Sequence, residues 1–174
     1  MVNTIILLTL TAIIGALSWK SLNNPGTHGF FRFFAFESIL TIILLNTGTW
    51  FQNPFGARQI LSWLCLLTSF LLALHGFYLL RMIGKPQGKI EGTTVLVTRG
   101  AYRYIRHPLY SSLLWLAVGA FLKQPSLAST ALLVATVAFL LATARVEEAE
   151  NLQLFGQDYA IYMENTRMFV PFLF

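Results

Sequence analysis

Residues 59–80 read QILSWLCLLTSFLLALHGFYLL, without one Asp, Glu, Lys or Arg. A stretch of that length is what ~30 Å of hydrocarbon demands of a helix. Four further apolar runs share the chain: 2–19, 33–50 with Glu37 near its start, 109–122 and 126–144. In lipid every backbone amide must be bonded within the protein, so these runs predict α-helices. The run at 109–122 covers only about 21 Å at 1.5 Å per residue, which leaves open whether it crosses fully. Charged residues make up 11% of the chain, against roughly 25% in a soluble domain. The expected fold is therefore an all-α integral membrane protein of about five transmembrane helices, a single domain over 1–174. Its parts are three spans in 1–80, a polar loop at 81–108, a helical hairpin at 109–144, and a C-terminal helix and tail at 145–174.

Five spans in series sort the basic residues unevenly. Arg58 and Lys123 fall on one side, and Lys20, Arg32, Arg81, Lys85, Lys89, Arg99, Arg103, Arg106, Arg145 and Arg167 on the other. The positive-inside rule makes the richer side cytoplasmic, with the N-terminus outside and the C-terminus inside. The excess of 12 basic over 7 acidic residues then reflects topology and anionic membrane lipids, and no nucleic-acid partner is implied. Residues 1–4 lack the basic start of a signal peptide, so 2–19 reads as a retained span. The short chain without long loops suggests a prokaryotic inner membrane. Cys65 is the single cysteine and reads as a buried hydrophobe; no metal site is expected.

The spacing of soluble-enzyme motifs is missing: there is no G-x-G-x-x-G, P-loop, H-E-x-x-H or G-x-S-x-G. Polar residues concentrate instead at one membrane boundary, in GAYRYIRHPLY and ARVEEAENLQLFGQDYAIY. The hairpin predicts that His107, Tyr110, Arg145, Glu147 and Glu148 meet at one depth, with TTVLVT as a short strand nearby. Pro108 suits the first position of a helix, whose free amides favour an anion. Ionisable groups gathered there need partners or a water-filled pocket. Each piece also has a plainer reading: RYIRHP as a basic anchor, EEAE as a solvated helix face, the tyrosines as an interfacial belt. Glu37 reads as paired with a basic neighbour or near the interface, and His28 and His75 as structural.

The order is more telling than the pieces. LVTRGAYRYIRHPLYSS, followed after the hairpin by EEAENLQLFGQDYAIYMENTRMFVP, resembles the C-terminal signature of the isoprenylcysteine carboxyl methyltransferase family. The wider group includes phospholipid methyltransferases. The resemblance runs over 96–171 and implies S-adenosylmethionine in a cytoplasm-facing pocket formed by the C-terminal half. It places Val95, Leu96 and Val97 along the adenosine and Tyr102, His107, Pro108, Leu109 and Tyr110 around the ribose and methionine. Glu147 would face the ammonium, and Gln87 would contribute from the loop. Of the catalytic residues it implies, Arg145 would orient a carboxylate acceptor, while Glu148 or His107 would take a proton from an amine acceptor. Ser112 stands where the family usually has Gly, and Thr143 where it has an orienting Arg. The substrate would be lipophilic or prenylated and enter from the bilayer. The alternatives are a phospholipid N-methyltransferase, a membrane NADPH-dependent sterol-type reductase and a non-catalytic pocket protein.

Overall fold

A computed structural model describes residues 2–87 and 93–171. Its helices are α1 (Val2–Leu22), α2 (His28–Leu45), α3 (Ala57–Met82), α4 (Pro108–Lys123), α5 (Leu127–Phe155) and α6 (Gln157–Asn165). By length and composition α1, α2, α3 and α5 are able to cross a membrane. The remaining apolar helix, α4, has 16 residues and reaches about 24 Å. The expected hairpin turns at 124–126, yet α4 packs chiefly on α3 and α5 chiefly on α2. Small residues explain the first pairing, since they let helix backbones approach in lipid. A methyl group on Gly119 would sit 2.8 Å from the Leu66 side chain, and one on Gly76 would sit 3.1 Å from Leu109. The second pairing has an aromatic seam, with Phe34 stacked on Phe139 at 5.2 Å between ring centres.

The short helix α4 ends on protein donors. The last carbonyls of a helix have no partner within it, and here Asn46 Nδ2 donates to Ala120 O at 2.8 Å and Gln59 Nε2 to Lys123 O at 3.3 Å. Ser62 Oγ donates to Gly119 O at 2.7 Å. Lys123, expected in an outer turn, is instead fully buried. Its ammonium lies 3.6 Å over the Trp63 ring and donates to Gln59 Oε1 at 3.1 Å. Cation–π attraction and a carbonyl-rich helix end together hold the charge.

Glu37 also departs from expectation. It is mid-way along α2, where Thr11 Oγ1 of α1 donates to its Oε2 at 2.6 Å, and its Oε1 is buried without a hydrogen-bond partner. Its partner is therefore a hydroxyl, because α1 offers no cation at that depth. The stretch TTVLVT is not a strand. The amides of Thr94 and Val95 both donate to Gly84 O, at 2.9 and 3.2 Å, which folds the loop onto the end of α3 instead of against a partner strand. Gly156, at φ +57° and ψ −129°, separates α5 from α6, since that conformation is open to glycine.

Candidate active site

The chain entering α4 is pinned by the C-terminal tail. Arg167 N donates to Tyr104 O at 3.1 Å, Arg106 N to Arg167 O at 2.7 Å, and His107 N to Met168 O at 3.2 Å. Pro108 then opens the helix with no amide to leave unbonded, and His107 occupies the cap position without a side-chain cap. This lacing holds Arg106 and His107 against α5.

The adjacent acids Glu147 and Glu148 of α5 take different positions around one imidazole. Glu148 lies behind it, buried, accepting from Arg106 Nε at 2.5 Å and facing His107 Nε2 at 3.3 Å. The same guanidinium donates through Nη1 to Thr166 O at 2.6 Å and Met163 O at 3.2 Å. Glu147 lies on the other side, with Oε1 3.9 Å from His107 Nδ1, and its Oε2 accepts from the Tyr110 hydroxyl. His107 stacks on Tyr110 with 5.4 Å between ring centres.

A cavity opens beside this cluster. It holds about 60 Å³ for water-sized occupants, and about 570 Å³ when the space out to its mouth is included. Of the residues expected at the site, Leu96, Val97, Tyr102, His107, Leu109, Tyr110 and Glu147 line it. Pro108 is buried beneath the wall and Glu148 behind it, whereas Val95 and Gln87 are exposed outside the lining. Arg145 is exposed and also outside the lining. Two residues along a helix turn a side chain by about 200°, so Arg145 and Glu147 face opposite ways. The orienting cation expected there is thus not brought to the cavity.

Leu80, Thr93, Arg106, Asn151, Phe155, Tyr159 and Tyr162 also line it and were missed as site residues. A signal was present, because Glu147, Asn151 and Phe155 recur at four-residue steps and share one helix face. The Tyr162 hydroxyl donates to Tyr102 O at 2.6 Å, joining α6 to the loop. Burial pushes the Tyr159 and Tyr162 phenols above the usual range, so both remain neutral donors. His75 Nε2 accepts from Ala101 N at 3.3 Å, and His28 Nδ1 sits 2.7 Å from Glu150 Oε2. Both tie loop or helix ends and lie outside the cavity.

Long apolar helices carrying a tyrosine-rich, ionisable pocket at one end form the architecture of a membrane-embedded enzyme. The family model for phospholipid methyltransferases matches residues 57–158, from the start of α3 through the whole of α5 to the first residues of α6. The chain belongs to that family and is a membrane methyltransferase. No curated protein and no solved structure matches it.

Proposed function

We propose that this protein transfers a methyl group from S-adenosylmethionine to the amine of a membrane lipid. The observation that carries the reading is the placement of Glu147, Tyr102, Tyr110, Tyr159 and Tyr162 around one cavity at the start of α4. That donor set fits the methyl donor. A carboxylate pairs with an ammonium, aromatic faces attract a sulfonium, and the first amides of α4 suit a carboxylate. S-adenosylmethionine supplies a methyl group bound to a sulfonium, which leaves by in-line displacement. Glu147 would hold its ammonium once the Tyr110 hydroxyl gives way, and Leu96, Val97 and Leu109 would cover its apolar parts. The remaining task of the chain is positioning and exclusion of water.

Charge in the cavity supports an amine acceptor over a carboxylate. Among the described lining residues the one guanidinium, that of Arg106, is engaged by Glu148 and two backbone carbonyls, and Arg145 is outside. The same shortage of free cations disfavours the phosphates of a nicotinamide dinucleotide. Esterification of an isoprenylcysteine carboxylate is the second reading, favoured by the order of RHPLY and EE in the sequence. The uneven distribution of basic residues supports a cytoplasmic pocket.

The test uses purified protein in lipid nanodiscs with S-adenosylmethionine labelled in its methyl group. Labelled N-methyl headgroups on phosphatidylethanolamine are the expected product by mass spectrometry. A labelled methyl ester on farnesylcysteine, without headgroup label, replaces this reading with the second. Label in neither removes both acceptors.

A further inference from the structure

We infer that His107 is the base that takes the proton from the acceptor amine, with Glu148 as the residue that positions it. This rests on the amine reading of the function. An amine acceptor arrives as an ammonium and has no lone pair to attack with until a proton leaves. The groups around His107 assign that step. Glu148, from α5, is fixed as an acceptor because Arg106 Nε donates to its Oε1 at 2.5 Å. The imidazole nitrogen 3.3 Å from that same oxygen, Nε2, must therefore be the donor. In the neutral ring the lone pair then falls on Nδ1, the nitrogen on the side of Glu147. Glu147 lines the cavity, and so does His107 itself.

Among the described residues, Nδ1 has no hydrogen bond that would use up its lone pair. Glu147 Oε1 is 3.9 Å away, beyond hydrogen-bond range, and the other oxygen of that carboxylate is held by Tyr110. Tyr110 and Phe169 pack against the ring from α4 and the tail, with centres at 5.4 and 6.2 Å, which restrains its rotation. The cap position adds a second restraint, because His107 O already accepts from Ser111 N at 2.8 Å. A base, an acid that fixes its tautomer and a cation that fixes the acid thus form one chain from the cavity to Arg106. The step balances simply. An N–H bond of the ammonium breaks and its proton goes to Nδ1, leaving a neutral amine and an imidazolium. The freed nitrogen pair forms the bond to the methyl carbon, and the electrons of the carbon–sulfur bond stay on sulfur.

The experiment compares two acceptor lipids in nanodiscs at saturating methyl donor. One is phosphatidylethanolamine, and the other carries an aminooxy headgroup whose nitrogen is already neutral at pH 7. For the His107→Gln protein, kcat on phosphatidylethanolamine is expected to fall by about 100-fold or more, the scale of general-base catalysis. On the aminooxy lipid it should fall only a few-fold, with KM for both lipids little changed. Equal losses on the two lipids overturn the base and leave the amine reading standing. Inactivity of the wild type on both lipids overturns the amine reading, and the base with it. A readout independent of turnover comes from wild-type protein labelled with 15N-histidine. Its three histidines should include one with Nε2 protonated and Nδ1 bare, which Glu148→Gln perturbs. A protonated Nδ1 in the neutral His107 ring overturns the proposal, even should His107→Gln fail to fold.

Discussion

The Tyr110 hydroxyl donates to Glu147 Oε2 at the wall of the cavity, joining the first turn of α4 to α5. A carboxylate proposed to receive an ammonium is therefore already satisfied by a neutral donor. Removing that donor and removing the carboxylate should have opposite consequences. Tyr110→Phe keeps the ring and is expected to bind S-adenosylhomocysteine at least as tightly as wild type. Glu147→Gln should weaken binding by about 1.5–3 kcal/mol, the range for a hydrogen bond to a charged group. Isothermal titration in detergent reads both. Tighter binding by Glu147→Gln than by Tyr110→Phe would exclude Glu147 as the ammonium partner.

Arg106 and Glu148 form a pair with side chains only 11% and 9% exposed. Breaking such a pair leaves one buried charge without its counter-ion. Arg106→Leu should destabilise the protein by about 3–5 kcal/mol. Adding Glu148→Leu should recover much of that loss, because the stranded carboxylate is gone. Thermal unfolding of the single and double variants checks this. A double variant less stable than Arg106→Leu would mean that Glu148 is held mainly by other groups.

Tyr162 is joined to the cavity. Its hydroxyl donates to Tyr102 O within the site. Tyr162→Phe removes that donor, at a cost of about 1 kcal/mol, and should weaken cofactor binding together with stability. Tyr162 therefore does not serve as a neutral control for Glu147 in mutagenesis.

The phenols of Tyr159 and Tyr162 also set an alkaline limit. Burial is the main cause of their upward shift; for Tyr159 the charges of Glu148 and Glu147 add to it, and for Tyr162 the neighbouring Tyr159 does. The folded state then keeps protons that the unfolded chain releases above its ordinary value of about 10. Their contribution to stability is full below that pH and declines as pH rises beyond it. Unfolding midpoints measured from pH 8 to 11 should drop on the alkaline side, and less steeply in Tyr162→Phe. Identical slopes would assign the drop to other groups.

At the far end of the bundle, Gln59 serves both α4 and Lys123. Gln59→Leu removes the donor to Lys123 O and the acceptor of its ammonium in one change, leaving a buried charge short of partners. Lys123→Met keeps the stem against Trp63 and removes the charge. The first substitution is expected to lower the melting temperature more than the second. The reverse order would mean that the lysine, and not its glutamine partner, holds the end of α4.

Much of the fold was legible because lipid leaves a chain few options. An apolar run must bond its own backbone, so the positions of α1, α2, α3 and α5 follow from composition alone. The entry to the site was legible for a similar local reason, since His107-Pro108 before an apolar run marks a helix start. Glu147 could be placed at the cavity once the motif order was recognised. Arg145 could not be excluded in the same way. Its direction depends on which face of α5 meets α4 and the loop, a question of packing across the chain. Tyr159 is outside the stretch matched by the family model, and its place in the lining depends on the turn at Gly156.

By itself, then, the sequence determined a helical membrane protein, the start of α4 and the acidic turn opposite it, because hydrophobic length and helix-end chemistry act over a few residues. Tertiary structure alone decided the division of labour between the two adjacent acids. Glu148 meets Arg106 and is buried with it, whereas Glu147 meets Tyr110 at the cavity. It also decided that Lys123 is enclosed by Trp63 and Gln59 and not exposed in a turn. In each case the outcome rests on a partner distant in sequence, brought close by helix packing, and on the high cost of a buried charge that lacks one.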